Sequence, residues 1–432
     1  MSVLGRVKIV LAIGVLLGLS WNALAEEFSN VSLKDSAILH DFNQLQHAGL
    51  LVLDSEQTPV YAKNAQQHFI PASTTKLITA LLALQHWGED YQFKTEFYLT
   101  DRGGDKFKTA NPTLLVKGFG DPFLVSEELA LITKQLANRL KQQNIQVLSG
   151  VMLDTYYYQG GVKFSGAGQS DNPYDAVSSA LAINFNTVYL QQTATGIESA
   201  EPQTPITPTA LTFAQNTEMF TPQERPLKTV KKRVNLGQDE RVGQRYFAEL
   251  LMAFLQQEGI AVANDVRWLS VQNVQSPVLL YQHRNQRTLA EVVAPMMQYS
   301  TNFVANQLAL NLSREQFKTP ANAEQVAKMY QQRLTTLFGW QDFTIEEGAG
   351  LSRQNRLSPQ QLIDVLEAFQ PWRHLLPEIE PNVYAKSGTL LGVSTLAGYL
   401  HKEKHWFPFA LMINQKVPYR YRNQLVNAFV FK

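Results

Sequence analysis

Apolar residues recur along this chain with two different periods, and the switches between them mark the elements. Gly49 to Leu53 and Pro59 to Ala62 are apolar runs separated by the polar turn Asp54 to Thr58, which predicts two antiparallel strands. After Pro71 and Ala72, Leu77, Leu81 and Leu84 recur at helical offsets with Ala80 and Ala83 filling the face, so Ser73 falls at a helix start. Leu114 to Lys117, Glu127 to Gln143 and Val147 to Leu153 read as a strand-helix-strand unit, with Ser126 as the helix cap. The stretch 195–244 breaks the rhythm: it is rich in Pro, Thr and Gln, carries the basic run Lys228, Lys231, Lys232, Arg233, and reads as a small irregular β-rich appendage. Helical spacing returns at Tyr246 to Gln257.

From Leu289 the pattern is mainly helical: Leu289 to Met297, Thr301 to Leu312, Ala323 to Phe338 and Pro359 to Phe369, the last opened by Ser358 and Pro359. Three strand-like runs follow, Asn382 to Ala385, Ser394 to His401 and Phe407 to Asn414, and then the amphipathic Arg422 to Val430. His401 and His405 flank a charged turn between two of these strands, which marks a solvated hairpin rather than a metal pair. Strands at both ends of the chain are expected to share one antiparallel sheet, with the middle of the chain inserted. The expected division is 26–90 with 277–432, an α/β unit of 91–160 with 245–276, and a small β-rich unit of 161–244.

The start is different in kind. Arg6 and Lys8 precede the apolar run Ile9 to Leu19 and the small-residue site Ala23-Leu24-Ala25, the pattern of a secretory signal peptide spanning residues 1–25. A membrane span takes about 20 apolar residues, and this run is too short. Export to the periplasm and no stable membrane span are therefore expected. With 38 basic and 37 acidic residues the charge is balanced, which argues against nucleic acid as a partner. The absence of Cys excludes disulfides, thiol nucleophiles and zinc-thiolate sites.

Three short motifs carry the chemistry. Ser73-Thr74-Thr75-Lys76 stacks an amine one helical turn above a hydroxyl, so that the lysine can take the serine proton once burial and neighbouring positive charge lower its pKa. Alone it is weak, since such a pair arises about once by chance in a chain of this length. A Ser-x-Asn element occurs three times. Ser20-Trp21-Asn22 falls in the leader, Ser170-Asp171-Asn172 runs into Pro173 within a loop and is set aside, and Ser300-Thr301-Asn302 opens a core helix. The third element, Lys386-Ser387-Gly388-Thr389, follows a strand-like run, where a lysine, two hydroxyls and a glycine form an edge suited to a carboxylate-bearing peptide.

In this order and on these elements the motifs resemble those of the D-alanyl-D-alanine carboxypeptidase and endopeptidase family, the class C low-molecular-mass penicillin-binding proteins. Phe69-Ile70-Pro71-Ala72, Gly120-Asp121-Pro122 and Gly348-Ala349-Gly350-Leu351-Ser352-Arg353 add to the resemblance. It implies a mixed α+β and α/β architecture: a transpeptidase-like domain with an antiparallel sheet flanked by helices, a helical subdomain, and two nested inserted domains. It implies Ser73 as acylated nucleophile, Lys76 as general base, Ser300 as proton relay, Asn302 as the residue holding the substrate amide, and Lys386 as field-setting cation. Ser387, Gly388 and Thr389 would bind the substrate, Ser387 and Thr389 holding its terminal carboxylate, and the N–H groups of Ser73 and Thr389 would hold the oxyanion. Repulsion from Lys386 is expected to keep Lys76 neutral. Peptidoglycan stem peptides and β-lactams are the implied partners, and no cofactor or metal is implied. Ser387, Ala349 and Glu347 depart from the family's usual Thr, Ser and Asp, and the stretch between Arg353 and Lys386 is short. A weakly catalytic or non-catalytic peptidoglycan-binding scaffold stays open, as does a serine β-lactamase, although no Glu-x-x-Leu-Asn is present.

Overall fold

The computed structural model describes residues 37–100, 111–193, 196–215, 230–269 and 277–430. The expected leader, residues 1–25, and Lys228 of the basic run lie outside the described residues. Helix α1 (Ala37–Gln44) precedes strands β1 (Ala48–Leu53) and β2 (Pro59–Lys63), and a 3-10 turn (Ala72–Thr74) runs directly into α2 (Thr75–Trp87). Then come β3 (Lys94–Thr100), β4 (Thr113–Gly118), α3 (Ser126–Gln142), β5 (Val147–Leu148) and β6 (Val151–Asp154). Next are β7 (Thr187–Thr193), β8 (Gly196–Ser199), α4 (Pro208–Gln215) and β9 (Val230–Asn235). Helix α5 (Glu240–Gln257) leads to β10 (Ala261–Val262), β11 (Val266–Trp268) and β12 (Val278–Arg284). Four helices follow, α6 (Leu289–Tyr299), α7 (Asn302–Phe317), α8 (Ala323–Phe338) and α9 (Pro359–Phe369). The last elements are β13 (Glu378–Glu380), β14 (Val383–Leu390), β15 (Val393–Lys402), β16 (His405–Ile413) and α10 (Tyr421–Asn427).

The two ends of the chain meet in one antiparallel six-stranded sheet, ordered β13-β14-β15-β16-β1-β2, with Ala48 opposite Ile413. Strand β1 is buried along its whole length, which its unbroken apolar run requires of a strand covered on both faces. Alternation divides its side chains: Leu51 and Leu53 join the core shared with α2 and α7, and Leu50 and Val52 join the core under α1 and α10. The His401 and His405 turn is the β15-β16 hairpin, with His401 paired to Trp406.

The inserted chain forms a second sheet, ordered β11-β6-β4-β3-β12, in which β4, β6 and β11 run parallel, and a three-stranded sheet β8-β7-β9. Four details differ from the sequence reading. Strand β12 pairs with β3, so the chain rejoins the helical core after Arg284 rather than at 277. The run Val147 to Leu153 is split at Gly150, whose φ of 145° and closeness to the Asp265 carbonyl suit only glycine. Ser126 is the first helical residue rather than the cap, and its hydroxyl accepts a bond from Asn184 Nδ2. The 195–244 stretch is also less β-rich than expected, since it holds α4 and the first turn of α5, which Asp239 caps through the Arg241 N–H. No described helix is long and apolar enough to cross a membrane.

Candidate active site

Ser73 sits in the 3-10 turn that leads into α2, partly exposed while Ala72, Thr74, Thr75 and Lys76 around it are buried. Two hydroxyls lock the turn: Thr74 Oγ1 donates to the Pro71 carbonyl at 2.7 Å and Thr75 Oγ1 to the Ala72 carbonyl at 2.9 Å. Ala72 has a φ of 48°, a conformation that an L-residue adopts at a cost of roughly 1 to 2 kcal/mol. The surroundings enforce it. Gly350, itself at a φ of 84°, presses its backbone against the Ala72 carbonyl, and β14 presses Gly388 against the Ser73 N–H from the other side. A Cβ on Gly388 would stand 2.8 Å from Ser73 N and 2.3 Å from Thr395 Oγ1, so only glycine lets the strand come this close.

Lys76 is fully buried, and its Nζ has three oxygen neighbours: Ser73 Oγ at 3.0 Å, Asn302 Oδ1 at 2.8 Å and the Ala349 carbonyl at 2.7 Å. Two of these, an amide and a peptide oxygen, can only accept. A neutral amine has two N–H donors and one lone pair. With both donors engaged by Asn302 and Ala349, the lone pair is left for the Ser73 O–H. Burial holds the Lys76 pKa well below the ordinary lysine value, the positive charge of Lys386 lowers it further, and Glu347 opposes both. The sequence reading named both burial and the charge of Lys386 for this shift; burial is the larger cause.

Asn302 is the first residue of α7, where its side chain is fixed between Lys76 and the Tyr174 carbonyl, to which Nδ2 donates at 3.1 Å. Ser300 does not open that helix. It ends α6 in a left-handed conformation, with φ 57°, and Thr301 stands at the N-cap position of α7 without a side-chain capping bond. Its hydroxyl makes no hydrogen bond to Ser73, Lys76 or Lys386 among the described residues. The loop that follows the segment set aside at 170–172 touches the site through Tyr174. Ser170 Oγ and two backbone N–H groups bond to Asp175, and the neighbouring Tyr174 carbonyl orients Asn302.

Lys386 is buried on β14, with Nζ donating to the Ser387 carbonyl at 2.7 Å. Burial, and then the charge of Arg422, bring its pKa down to about 7. Thr389 bonds to Arg422 rather than to the turn that carries Ser73. The structure thus brings Ser73, Lys76 and Asn302 into direct contact, sets Gly388 against Ser73, and leaves Ser387 and Thr389 on the alternate pleat of β14.

Three contributors were not among the expected site residues. Ala349 supplies only its carbonyl. Glu347, fully buried, accepts from the N–H groups of Ala349, Gly350, Leu351 and Ser352 and from Asn355 Nδ2, which fixes the loop that presents that carbonyl. Arg422 reaches β14 from α10, and nothing around it in the sequence marks it for this place. Among the described residues no cluster of three or more His, Asp or Glu could hold a metal ion.

Residues 33–379 match the D-Ala-D-Ala carboxypeptidase 3 (S13) family. The chain is 25% identical over 424 residues to the D-alanyl-D-alanine carboxypeptidase DacB of Haemophilus influenzae, covering 86% of each. It is 23% identical to a D-alanyl-D-alanine carboxypeptidase of an Actinomadura species, over 85% of this chain and 77% of that one. The fold is that of the crystal structure of penicillin-binding protein 4 (dacB) from Haemophilus influenzae: TM-score 0.69 at 20% identity, over 92% of this chain and 100% of that one.

Proposed function

The chain belongs to the D-Ala-D-Ala carboxypeptidase 3 (S13) family and is a serine-type DD-peptidase, and from that premise we propose the parts its residues play. Lys76 takes the Ser73 hydroxyl proton as Oγ attacks the carbonyl of the penultimate D-alanine in a peptidoglycan stem peptide. The N–H groups of Ser73 and Thr389 hold the oxyanion. Ser300 passes a proton to the leaving nitrogen, the C–N bond breaks, and D-alanine or a cross-linked amine departs. Water then hydrolyses the ester on Ser73. Asn302 and Lys386 orient and polarise the bound amide. General-base assistance of this kind contributes about 10²- to 10⁴-fold in rate.

One observation carries this reading: a buried amine 3.0 Å from Ser73 Oγ whose other two partners are pure acceptors. It also favours catalysis over a non-catalytic wall-binding scaffold, which has no use for a desolvated lysine against a serine. The part given to Ser300 rests on the family resemblance alone. β-Lactams, which present a strained amide beside a carboxylate, would acylate the same serine. Export to the periplasm through residues 1–25 completes the reading, since the substrate lies outside the cytoplasm.

The test is intact mass spectrometry of the protein with benzylpenicillin, beside Ser73→Ala, together with D-alanine release from a stem pentapeptide. One penicilloyl adduct on the wild type and none on the variant, with D-alanine released by the wild type only, is the expected result. An adduct on Ser73→Ala, or no modification of either protein, would sink the assignment.

A further inference from the structure

We propose that Arg422 on α10 is the cation that reads the substrate's terminal carboxylate, a specificity-determining residue of the site. The inference rests on the DD-peptidase reading above and adds a cation to Ser387 and Thr389, which the family resemblance already gives to the terminal carboxylate.

The placement is specific. Beyond Ala385, whose N–H donates to the Pro377 carbonyl, the outer edge of β14 has no strand partner among the described residues, because β13 reaches only Val383 and Tyr384. A peptide can therefore lie along Ser387 to Leu390. Gly388 faces Ser73, so Ser387 and Thr389 stand on the opposite pleat, and Arg422 meets Thr389 there. Its Nη1 donates to the Gly388 carbonyl at 2.7 Å and to Thr389 Oγ1 at 2.8 Å, with a longer contact of 3.4 Å to the Thr395 carbonyl.

Those bonds leave much of the guanidinium unused. Every hydrogen bond of Arg422 runs through Nη1, and Nη2 and Nε make none among the described residues. No carboxylate among the described residues stands within ion-pair distance of it, although it is half-buried. The bond to Thr389 also has a direction. Oγ1 accepts from Arg422, so the threonine's own proton is left to be donated outward. Ser387 Oγ has no partner among the described residues, which provides a second free donor on the same pleat. Two hydroxyl donors beside an open guanidinium fork match a carboxylate, the planar anion that arginine binds with two parallel bonds.

The surroundings have the same sign. A cavity of about 410 Å3 runs from Thr389 and Ser394 along α10, lined by Lys416, Arg420 and Arg422, with Glu380 as its one acid. Glu380 is already engaged by Asn423 Nδ2 at 3.0 Å. Lys386, one pleat away, adds no negative charge. An anion arriving at the β14 edge therefore meets unneutralised cations, and a neutral chain end meets donors it cannot fill.

Two thioester substrates separate the possibilities: N-benzoyl-D-alanyl-thioglycolate, which ends in a carboxylate, and the matching thioglycolamide, which ends in a neutral amide. Both offer the same acyl group to Ser73, and the released thiol is read with a thiol reagent without background, because the chain has no Cys. The ratio of kcat/KM for the carboxylate over the amide is expected to fall about 10- to 100-fold in Arg422→Gln, the size of a lost charge-assisted hydrogen-bond pair. Arg422→Lys, which keeps the charge without the fork, is expected to lie between. Both rates come from one preparation, so partial unfolding cancels from the ratio. A ratio that stays within about threefold of wild type in Arg422→Gln overturns the proposal and makes Arg422 a strand clamp. A wild-type protein that neither thioester acylates at Ser73 overturns the parent reading, which is a different result.

Discussion

Gly350→Ala should disable the nucleophile without touching a reacting group. The added Cβ would stand 1.8 Å from the Ala72 carbonyl oxygen, 2.4 Å from its carbon and 3.0 Å from Ser73 N. Carbon and oxygen atoms not hydrogen-bonded to each other rest near 3.5 Å, so the clash asks for movement on the order of 1 Å or more. Ala72 cannot absorb it: it is buried, sits at a φ of 48°, and its carbonyl accepts from Thr75 Oγ1. The displacement passes to the peptide that carries Ser73. A misplacement of about 1 Å at a reacting group costs on the order of 100-fold. Gly350 also has a φ of 84°, so alanine there pays a left-handed cost of roughly 1 kcal/mol as well. Gly339→Ala is the control, because Gly339 has a φ of 71° at the end of α8 and nothing within 4 Å of its added Cβ. The assay is the second-order rate of Ser73 acylation by benzylpenicillin, with thermal melting alongside. Acylation should fall about 100-fold in Gly350→Ala and stay within about threefold of wild type in Gly339→Ala. Equal acylation by the two variants would refute the steric reasoning.

Lys386→Gln removes a positive neighbour from Lys76, which makes Lys76 easier to protonate, so the acidic limb of the acylation pH profile should move to higher pH. Because burial is the larger cause of the shift, the move should be partial, and an unmoved limb would show that the two charges do not communicate. The Lys386 pKa is brought down to about 7 in the fold against 10.5 for an ordinary lysine, so the unfolded chain binds more protons between those values and the folded state gains stability as pH rises through the window. Lys386→Met should flatten that rise in a melting series, and an unchanged slope would contradict it. Glu347→Gln exchanges a carboxylate that accepts from four backbone N–H groups for an amide that can serve only some of them. A loss of about 3 kcal/mol together with slowed acylation is expected, and full retention of both in denaturation and penicillin labelling would argue against this role for the loop.

Helices with strong end signals were legible from the chain alone. Ala323–Phe338 and Pro359–Phe369 begin and end where the reading placed them, because Asn322 and Ser358 cap them and Gly339 stops the first. Strands were legible wherever an apolar run was unbroken, as in β1. Long-range pairing was harder to see. Val278–Arg284 belongs to the sheet of β3 because of a partner far away in sequence, and no local pattern carries that information. Ser170 to Asn172 was set aside in favour of Asn302, which is the asparagine that contacts Lys76, yet the 170–174 loop touches the site through Tyr174, a contact made by a carbonyl and so invisible to residue type. Arg422 was read only as part of an amphipathic stretch. A single arginine in a C-terminal helix has no spacing to betray it, and only the packing of α10 on the sheet brings it to Thr389.

The site residues break the local rules that made the rest readable. Ala72 and Ser300 occupy left-handed backbone, and two lysines are buried without an acidic hydrogen-bond partner. Such features persist only where the surroundings over-determine them. Here the determinant is the 347–352 loop: Glu347 gathers its N–H groups, Gly350 sets the Ala72 turn, and Ala349 turns its carbonyl to Lys76. The same loop has opposing electrostatic effects, since the Glu347 charge raises the Lys76 pKa while the enclosure it builds lowers it. Enclosure is the larger effect. The activation proposed for Lys76 is therefore set more by its burial, to which this loop contributes, than by the facing Lys386, and loosening the loop should move the Lys76 pKa back toward the ordinary lysine value even with every charge in place.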